Sequence, residues 1–266
     1  MKKVAILIVF IVIRNTLIYC QKIEQSQVNL SASLGFIKYI TNDQLINYYN
    51  YSRIAFMPAK LVGSYHKDKN FFFISLCYNQ AKLFPNNENE TYYEYNYLKQ
   101  WNIESGLEYY RRILLINKYI RVHIGTANNT YVVIQKEYFK NMLYDYAQGF
   151  RQSYDLSILN LSSNLLIDCN LNKSYIRIRT GYTLLNVAAR PDDNYVKQIG
   201  LNDRIHWKTY SLNNYKGFQL SLLYQHQILK NIGVTAEFAL VYHSYLSPVE
   251  YRYLAKSIFV GVSKTL

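Results

Sequence analysis

A chain of 266 residues with 29 tyrosines, 12 phenylalanines and only 10 glycines and 4 prolines is half apolar, which excludes a disordered segment and favours strands over helices. A formal charge of +13 excludes an acidic, solvating chain. It suits a partner carrying phosphates, an anionic lipid surface, or a lysine-rich exterior with no partner at all.

Lys2 and Lys3 precede the apolar run Val4 to Ile13, which is followed by a polar patch and by Cys20 before Gln21. This is the layout of a secretory signal peptide. At about ten residues the run is too short for a membrane helix, which needs roughly 20. Cleavage after Cys20 divides the chain into a signal over 1–20, a short segment over 21–27 and a β region over 28–266. A lipid anchor on Cys20 is the competing reading, although Tyr19 is bulky where lipoprotein signals carry a small residue. Losing residues 1–20 removes Lys2, Lys3 and Arg14 and no acid, so the remaining chain stays basic. Cys77 falls mid-strand and Cys169 in a turn of another hairpin, which argues against a disulfide framework.

From residue 28 onward the dominant signal is alternation. Val28, Leu30, Ala32, Leu34 and Phe36 alternate with Asn29, Ser31, Ser33 and Gly35. A polar loop over 41–52 leads to a strand from Arg53 to His66, in which Pro58 demands the strand start or a bulge. After a turn at Lys67 to Lys69 the chain returns with Phe72, Ile74, Leu76 and Tyr78 on one face. A loop from Pro85 precedes the strand Tyr97 to Leu115, where Trp101, Ile103, Leu107 and Tyr109 oppose Gln100, Asn102, Glu104, Gly106, Glu108 and Arg112. Asn117 and Lys118 turn into a strand whose Ile120, Val122 and Ile124 oppose Arg121, His123 and Gly125. Residues 135–152 read as a connection able to hold a short helix. Tyr154 to Asp168 and Ser174 to Ala188 form a hairpin in which Ile176, Ile178 and Tyr182 oppose Arg177, Arg179 and Gly181. A loop over Ala189 to Lys208 precedes the clearest hairpin. Its first arm sets Phe218, Leu220, Leu222 and Tyr224 against Gly217, Gln219, Ser221 and Gln225. Its second sets Ile232, Val234, Ala236, Phe238 and Leu240 against Gly233, Thr235 and Glu237, with Leu229 to Asn231 between them. Tyr251 to Leu266 closes the series.

The short turns and long loops alternate, as in an up-and-down antiparallel meander of about ten strands, with 8 or 12 the neighbouring counts. The strands span about thirteen to nineteen residues, longer than the usual five or six of soluble sheets. Gly35, Gly106, Gly125, Gly181, Gly217, Gly233 and Gly261 all share the polar face, where a curved barrel interior rewards a missing side chain. Tyr39, Tyr97, Tyr119, Tyr131, Tyr175, Tyr210, Tyr242 and Tyr253 sit towards strand ends, as interfacial girdles do. The apolar face therefore points to lipid. With these features the chain resembles the outer-membrane β-barrels of Gram-negative bacteria over 28–266. Its Lys, Asn, Ile and Tyr bias and its ending, Ile258-Phe259-Val260-Gly261-Val262-Ser263, look most like the porin-like barrels of the Bacteroidetes group. Leu266 stands where many such barrels end in an aromatic residue, and Arg111 and Lys256 fall on the lipid face, where they must snorkel near a rim. The resemblance implies periplasmic turns and a periplasmic segment over 21–27. It also implies outer-membrane lipid, lipopolysaccharide and the barrel-assembly machinery as partners, with no nucleic acid. A soluble ligand-binding barrel is the rival fold.

The polar face carries Glu104, Glu108, Arg112, Arg121, His123, Arg177, Arg179, Gln219 and Glu237. In a narrow lumen these pair as a polar core that fixes register, or else line a gated path for small anions or polar solutes. No phosphate-binding loop or HExxH occurs, and the five histidines lack metal-ligand spacing, so no cofactor, metal or enzyme activity is expected. For a rim hydrolase the candidates are His243 with Ser244, which as strand neighbours face opposite sides, and Asp192, Asp193, Asp203 and His206 in one loop. Asn-x-Ser/Thr triplets such as Asn89 to Thr91 are chance in so Asn-rich a chain. Tyr48, Tyr49, Tyr51, Tyr92, Tyr93, Tyr95, Tyr144 and Tyr146 offer a third reading, an adhesive loop surface, since tyrosine gives large contact area at low entropic cost.

Overall fold

The computed structural model describes residues 27–43, 50–85, 97–117, 119–140, 148–190, 206–212, 214–245 and 251–266. They form strands β1 (Gln27–Asp43), β2 (Asn50–Lys67), β3 (Asn70–Pro85), β4 (Tyr97–Leu115), β5 (Ile120–Lys140), β6 (Gln148–Leu171), β7 (Ser174–Arg190), β8 (His206–Ser211), β9 (Tyr215–Leu229), β10 (Ile232–Tyr245) and β11 (Tyr251–Thr265). Each pairs antiparallel with its sequence neighbour, β6 with β7, and β1 with β11, so the sheet closes on itself. β8 and β9 lie end to end along one edge of β7, β8 against Leu185 to Arg190 and β9 against Ser174 to Tyr182. They act as one interrupted stave, and the barrel is ten-stranded.

The short links cluster at one end and the described termini lie there too, since Leu266 N donates to Val28 O at 2.9 Å. Asp68 and Asn172 hold these turns with φ of 54° each, a conformation that Asp and Asn tolerate best among residues with a Cβ. At the β4–β5 turn, Asn117 Oδ1 accepts from the amides of Tyr119 and Ile120, each at 3.0 Å. Following partnered Cα positions round the wall from Lys38 leads through Lys256, Leu220 and Ile124 to Lys67, beside Gln27 on the starting strand. The stagger of about a dozen residues is what tilts the strands. Gly125 permits tight curvature, because a Cβ there would meet the Tyr109 carbonyl and come within 2.9 Å of the Tyr110 Cα.

The burial pattern is that of a soluble protein turned inside out. Leu107 is 63% exposed, Ile74 62% and Val260 61%, whereas Gln100, Asn102 and His123 are fully enclosed. An outward apolar face around a polar interior is what a bilayer demands of a spanning sheet. Among the described residues no helix is long and apolar enough to cross a membrane.

Several boundaries differ from the sequence reading. The predicted connection over 135–152 is largely strand, with β5 running to Lys140 and β6 starting at Gln148. β7 runs to Arg190 and β8 starts at His206, inside the expected fourth loop, and Cys169 lies within β6 rather than in a turn. Pro58 does sit at a bulge, where Met57 adopts φ 58° and the β2–β3 register slips between Ser52 and Ala59. Cys77 and Cys169 are both free thiols.

The tyrosine girdle requires a larger correction. Tyr39, Tyr119, Tyr131, Tyr210 and Tyr253 are buried on the lumen side, and Tyr175 is half-buried there, bonded to Asp168. Of the expected girdle only Tyr242 is described on the outer face, half-exposed, and the Tyr97 side chain lies outside the described residues.

Candidate functional site

The lumen is filled in three layers, each built from inward positions of several strands. The middle layer is an ion lattice. Lys60 on β2 donates from Nζ to Glu237 Oε2 on β10 at 2.6 Å. Arg179 on β7 donates from Nη2 to Glu237 Oε1 at 3.1 Å and from Nη1 to Glu108 Oε1 on β4 at 2.9 Å. Its Nε–H goes to Ser221 Oγ at 2.9 Å. Glu108 also accepts from Tyr110 Oη at 2.6 Å, and Tyr110 Oη accepts from Asn164 Nδ2 at 3.1 Å. Guanidinium suits this junction because its planar fork serves two carboxylates at once. Gln219 Oε1 accepts from Asn129 Nδ2 at 3.2 Å across the interior.

The second layer lies towards the short turns. Asp168 accepts from Arg177 Nε at 2.9 Å and Tyr175 Oη at 2.5 Å, with His123 Nε2 at 3.4 Å. The Arg177 guanidinium lies 4.3 Å from the ring centres of both Phe71 and Phe73 and 4.7 Å from Tyr175. This cation–π packing lets an arginine sit deep in the wall. Arg112 and Arg121 face the lumen at the same level, opposite His123 and Asp168 in the register.

The third layer, towards the long loops, is aromatic. His243 stacks on Tyr131, Tyr215 and Tyr253 with ring centres 5.3, 5.9 and 5.8 Å away. Its Nδ1 bonds the Tyr215 hydroxyl, and the Tyr131 and Tyr245 hydroxyls bond each other. Tyr210 meets Tyr245 edge-on at 4.9 Å. Between the aromatic layer and the lattice lies a cavity of about 140 Å³, bordered by Glu104, Lys60, Arg179, Glu237, Tyr39 and His243. Beyond the lattice, a void of about 40 Å³ touches Arg177, Arg179 and Glu237. Arg179 and Glu237 border both.

Glu104, Glu108, Arg112, Arg121, His123, Arg177, Arg179, Gln219 and Glu237 occupy inward-facing positions of the wall, and Arg179 brings Glu108 and Glu237 together. Glu104 borders the cavity and makes no ion pair among the described residues. Lys60, Asp168, His66 and the inward tyrosines were missed; for Asp168 the available signal was parity, since its partner Arg177 shares a face with Gly181, whereas in β2 the bulge breaks the parity and Gly63 lies on the outer face. His243 and Ser244 do not assemble as a catalytic pair, because His243 is held in the aromatic stack while Ser244 takes the other face. Asp192, Asp193, Asp203, Tyr48, Tyr49, Tyr92, Tyr93, Tyr95, Tyr144 and Tyr146 lie outside the described residues, as do the side chains of His206 and Tyr51. Among the described residues no group of His, Cys, Asp and Glu is placed to hold a metal.

No protein-family model matches the chain, and no curated protein matches it. Among solved structures, the outer membrane protease OmpT from Escherichia coli aligns over 90% of this chain and 97% of its own, with a TM-score of 0.52 at 9% identity. The translocator domain of the autotransporter NalP from Neisseria meningitidis aligns over 95% of this chain and 92% of its own, with a TM-score of 0.44 at 7% identity. Neisserial surface protein A aligns over 90% and 96%, with a TM-score of 0.35 at 9% identity. At such identity the first likeness extends to the fold alone: this chain has the fold of the outer-membrane β-barrels of Gram-negative bacteria.

Proposed function

We propose that the protein is a non-enzymatic integral component of a Gram-negative outer membrane, delivered by a signal over 1–20, whose lumen is closed at rest. The observation that carries this reading is the lattice through Arg179, which ties β7 to β4 and β10 across the interior while Lys60 adds β2. A barrel of ten strands is little wider than the eight-stranded kind that side chains fill, and the aromatic layer closes what the lattice leaves. Structural service in the membrane follows directly. A porin-like role, as in Bacteroidetes-type barrels, requires the lattice to open. The composition bias towards Lys, Asn, Ile and Tyr supports that lineage.

Planar-bilayer recording on the refolded protein tests the proposal. The wild type is expected to give no steady current, and Arg179→Ala to give brief openings. A steady ohmic conductance from the wild type would refute the closed lumen. Heat-modifiable migration on a gel and detergent-dependent solubility test membrane integration, and a monodisperse protein in plain buffer would end that part of the reading.

A further inference from the structure

The cavity between the aromatic layer and the ion lattice is lined unevenly around the ring. Ile37, Val241, Ala255 and Phe259, from the neighbouring strands β1, β10 and β11, give it an apolar wall. Across the ring Glu104 on β4 and Asn160 on β6 border the same cavity. The charges around it do not balance, since Glu104, Glu108 and Glu237 meet only Lys60 and Arg179. Both cations are committed, Lys60 Nζ to Glu237 and the Arg179 guanidinium to Glu237, Glu108 and Ser221. His243, the other basic side chain on the cavity, is held in the aromatic stack with Nδ1 on the Tyr215 hydroxyl. Glu104 has neither ion pair nor hydrogen bond among the described residues, although the charge of Lys60 acts on it from a distance. Asn160 supplies a second open acceptor. It is 2% exposed, its Nδ2 donates to the Tyr215 hydroxyl at 3.4 Å, and its Oδ1 is buried without a hydrogen-bond partner. Water would hydrate these acceptors but leave the carboxylate charge uncompensated away from bulk solvent. A carboxylate and an amide oxygen lacking donors, facing an apolar wall, call for a ligand with N–H donors, a positive charge and a short apolar tail.

We propose that this cavity is a binding site for one small organic ammonium ion, which donates its N–H groups to Glu104 and Asn160 and lays its carbon chain on Ile37, Val241, Ala255 and Phe259. Size sets the class. A cavity of about 150 Å³ accepts benzene, so the 140 Å³ here holds about five or six heavy atoms. That admits a short monoalkyl ammonium and excludes a lipid headgroup with its chains. The site uses the closed lumen as its enclosure and goes beyond that reading by giving the enclosed space an occupant.

Radiolabelled n-butylammonium, present while the full chain refolds into zwitterionic micelles and then dialysed to equilibrium, tests the site without requiring an entrance. Saturable excess label of one ion per folded barrel is expected. Glu104→Gln keeps the shape of the side chain and removes its charge, and should weaken binding at least about tenfold, the worth of one charge-assisted hydrogen bond. Ala239→Leu grows a side chain from the cavity wall and should abolish binding with Glu104 intact. Asp68→Asn, the same change of charge on an exposed turn, should alter the affinity by less than roughly threefold. Heat-modifiable migration verifies that each variant is folded; where Ala239→Leu fails that check, Glu104→Gln alone decides. No saturable excess with the wild type, or unchanged affinity in folded Glu104→Gln, overturns the proposal. So does full displacement by sodium at the same concentration, which would assign the site to any small cation. An equal excess with n-butanol in place of the amine overturns it as well, by showing a merely apolar cavity. The dialysis reads the site whatever current the bilayer recording shows, so the closed lumen and the ammonium site fail separately.

Discussion

Glu237→Ala probes whether the lumen is packed or wet. Glu237 receives Lys60 Nζ at 2.6 Å and Arg179 Nη2 at 3.1 Å, and its side chain is only 9% accessible. Arg179 keeps Glu108 at 2.9 Å, so the substitution strands Lys60 inside the barrel and leaves Arg179 half matched. Breaking a buried pair from one side costs about 3–5 kcal/mol, most of it the uncompensated charge left behind. The double replacement Lys60→Met with Glu237→Leu removes both charges and fills the volume, and it should lie within about 2 kcal/mol of wild type. Reversible urea unfolding in lipid vesicles, followed by tyrosine and tryptophan fluorescence, supplies both numbers. A loss below about 1 kcal/mol for Glu237→Ala, the value of a solvated pair, would show that water reaches the lattice and would refute the closed lumen.

Other substitutions separate the faces of the wall. Ile258→Arg, on the outer face of β11, should cost about 2–4 kcal/mol in the same unfolding assay if it sits near the bilayer midplane; a soluble-like tolerance would count against the lipid-facing orientation. Gly125→Ala, whose Cβ meets backbone, should cost about 1–3 kcal/mol. It should exceed Gly106→Ala, whose new atom meets the side-chain tips of Ser75 and Asn129 at 2.7 and 2.8 Å; equal losses would refute the curvature role of Gly125. Asp168→Asn leaves Arg177 among aromatic rings without its carboxylate and should cost about 3–5 kcal/mol, with an effect under 1 kcal/mol showing that the rings alone suffice.

Alternation made most of the barrel legible, because an apolar outer face and a polar interior impose a strict period of two along each strand. It assigned Phe218, Leu222, Val234 and Phe238 outward and Gln219 and Glu237 inward without reference to any partner. It failed where the period is broken or indifferent. At Met57 and Pro58 the bulge shifts β2 by one residue, so a single parity over Arg53 to His66 misplaces part of the strand and hides Lys60. Over residues 135–152 the alternation of residue types fades, and strand reads as loop. Tyrosine is apolar along its ring and polar at its tip, so it suits either a headgroup belt or a lumen. Register placed Tyr39 and Tyr253 inside, and residue type alone carried no such information. The long-range pairs of the site, Lys60 with Glu237 and Arg179 with Glu108, depend on closure of the ring, to which local periodicity is blind.

The seam between β1 and β11 sets an order on assembly. Its register runs from Asn29 opposite Thr265 to Asp43 opposite Tyr251 and joins opposite ends of the described chain. Every other pairing of full staves is between sequence neighbours and can zip locally, whereas this one waits for β11. Until then β1 and β10 each present an open edge, a template for strands of other molecules. The same contact withholds the lattice, since Lys60 on the β1 side and Glu237 on the β10 side come within reach only when the ring shuts. Closure of one seam thus removes the aggregation hazard and neutralises the interior in a single event.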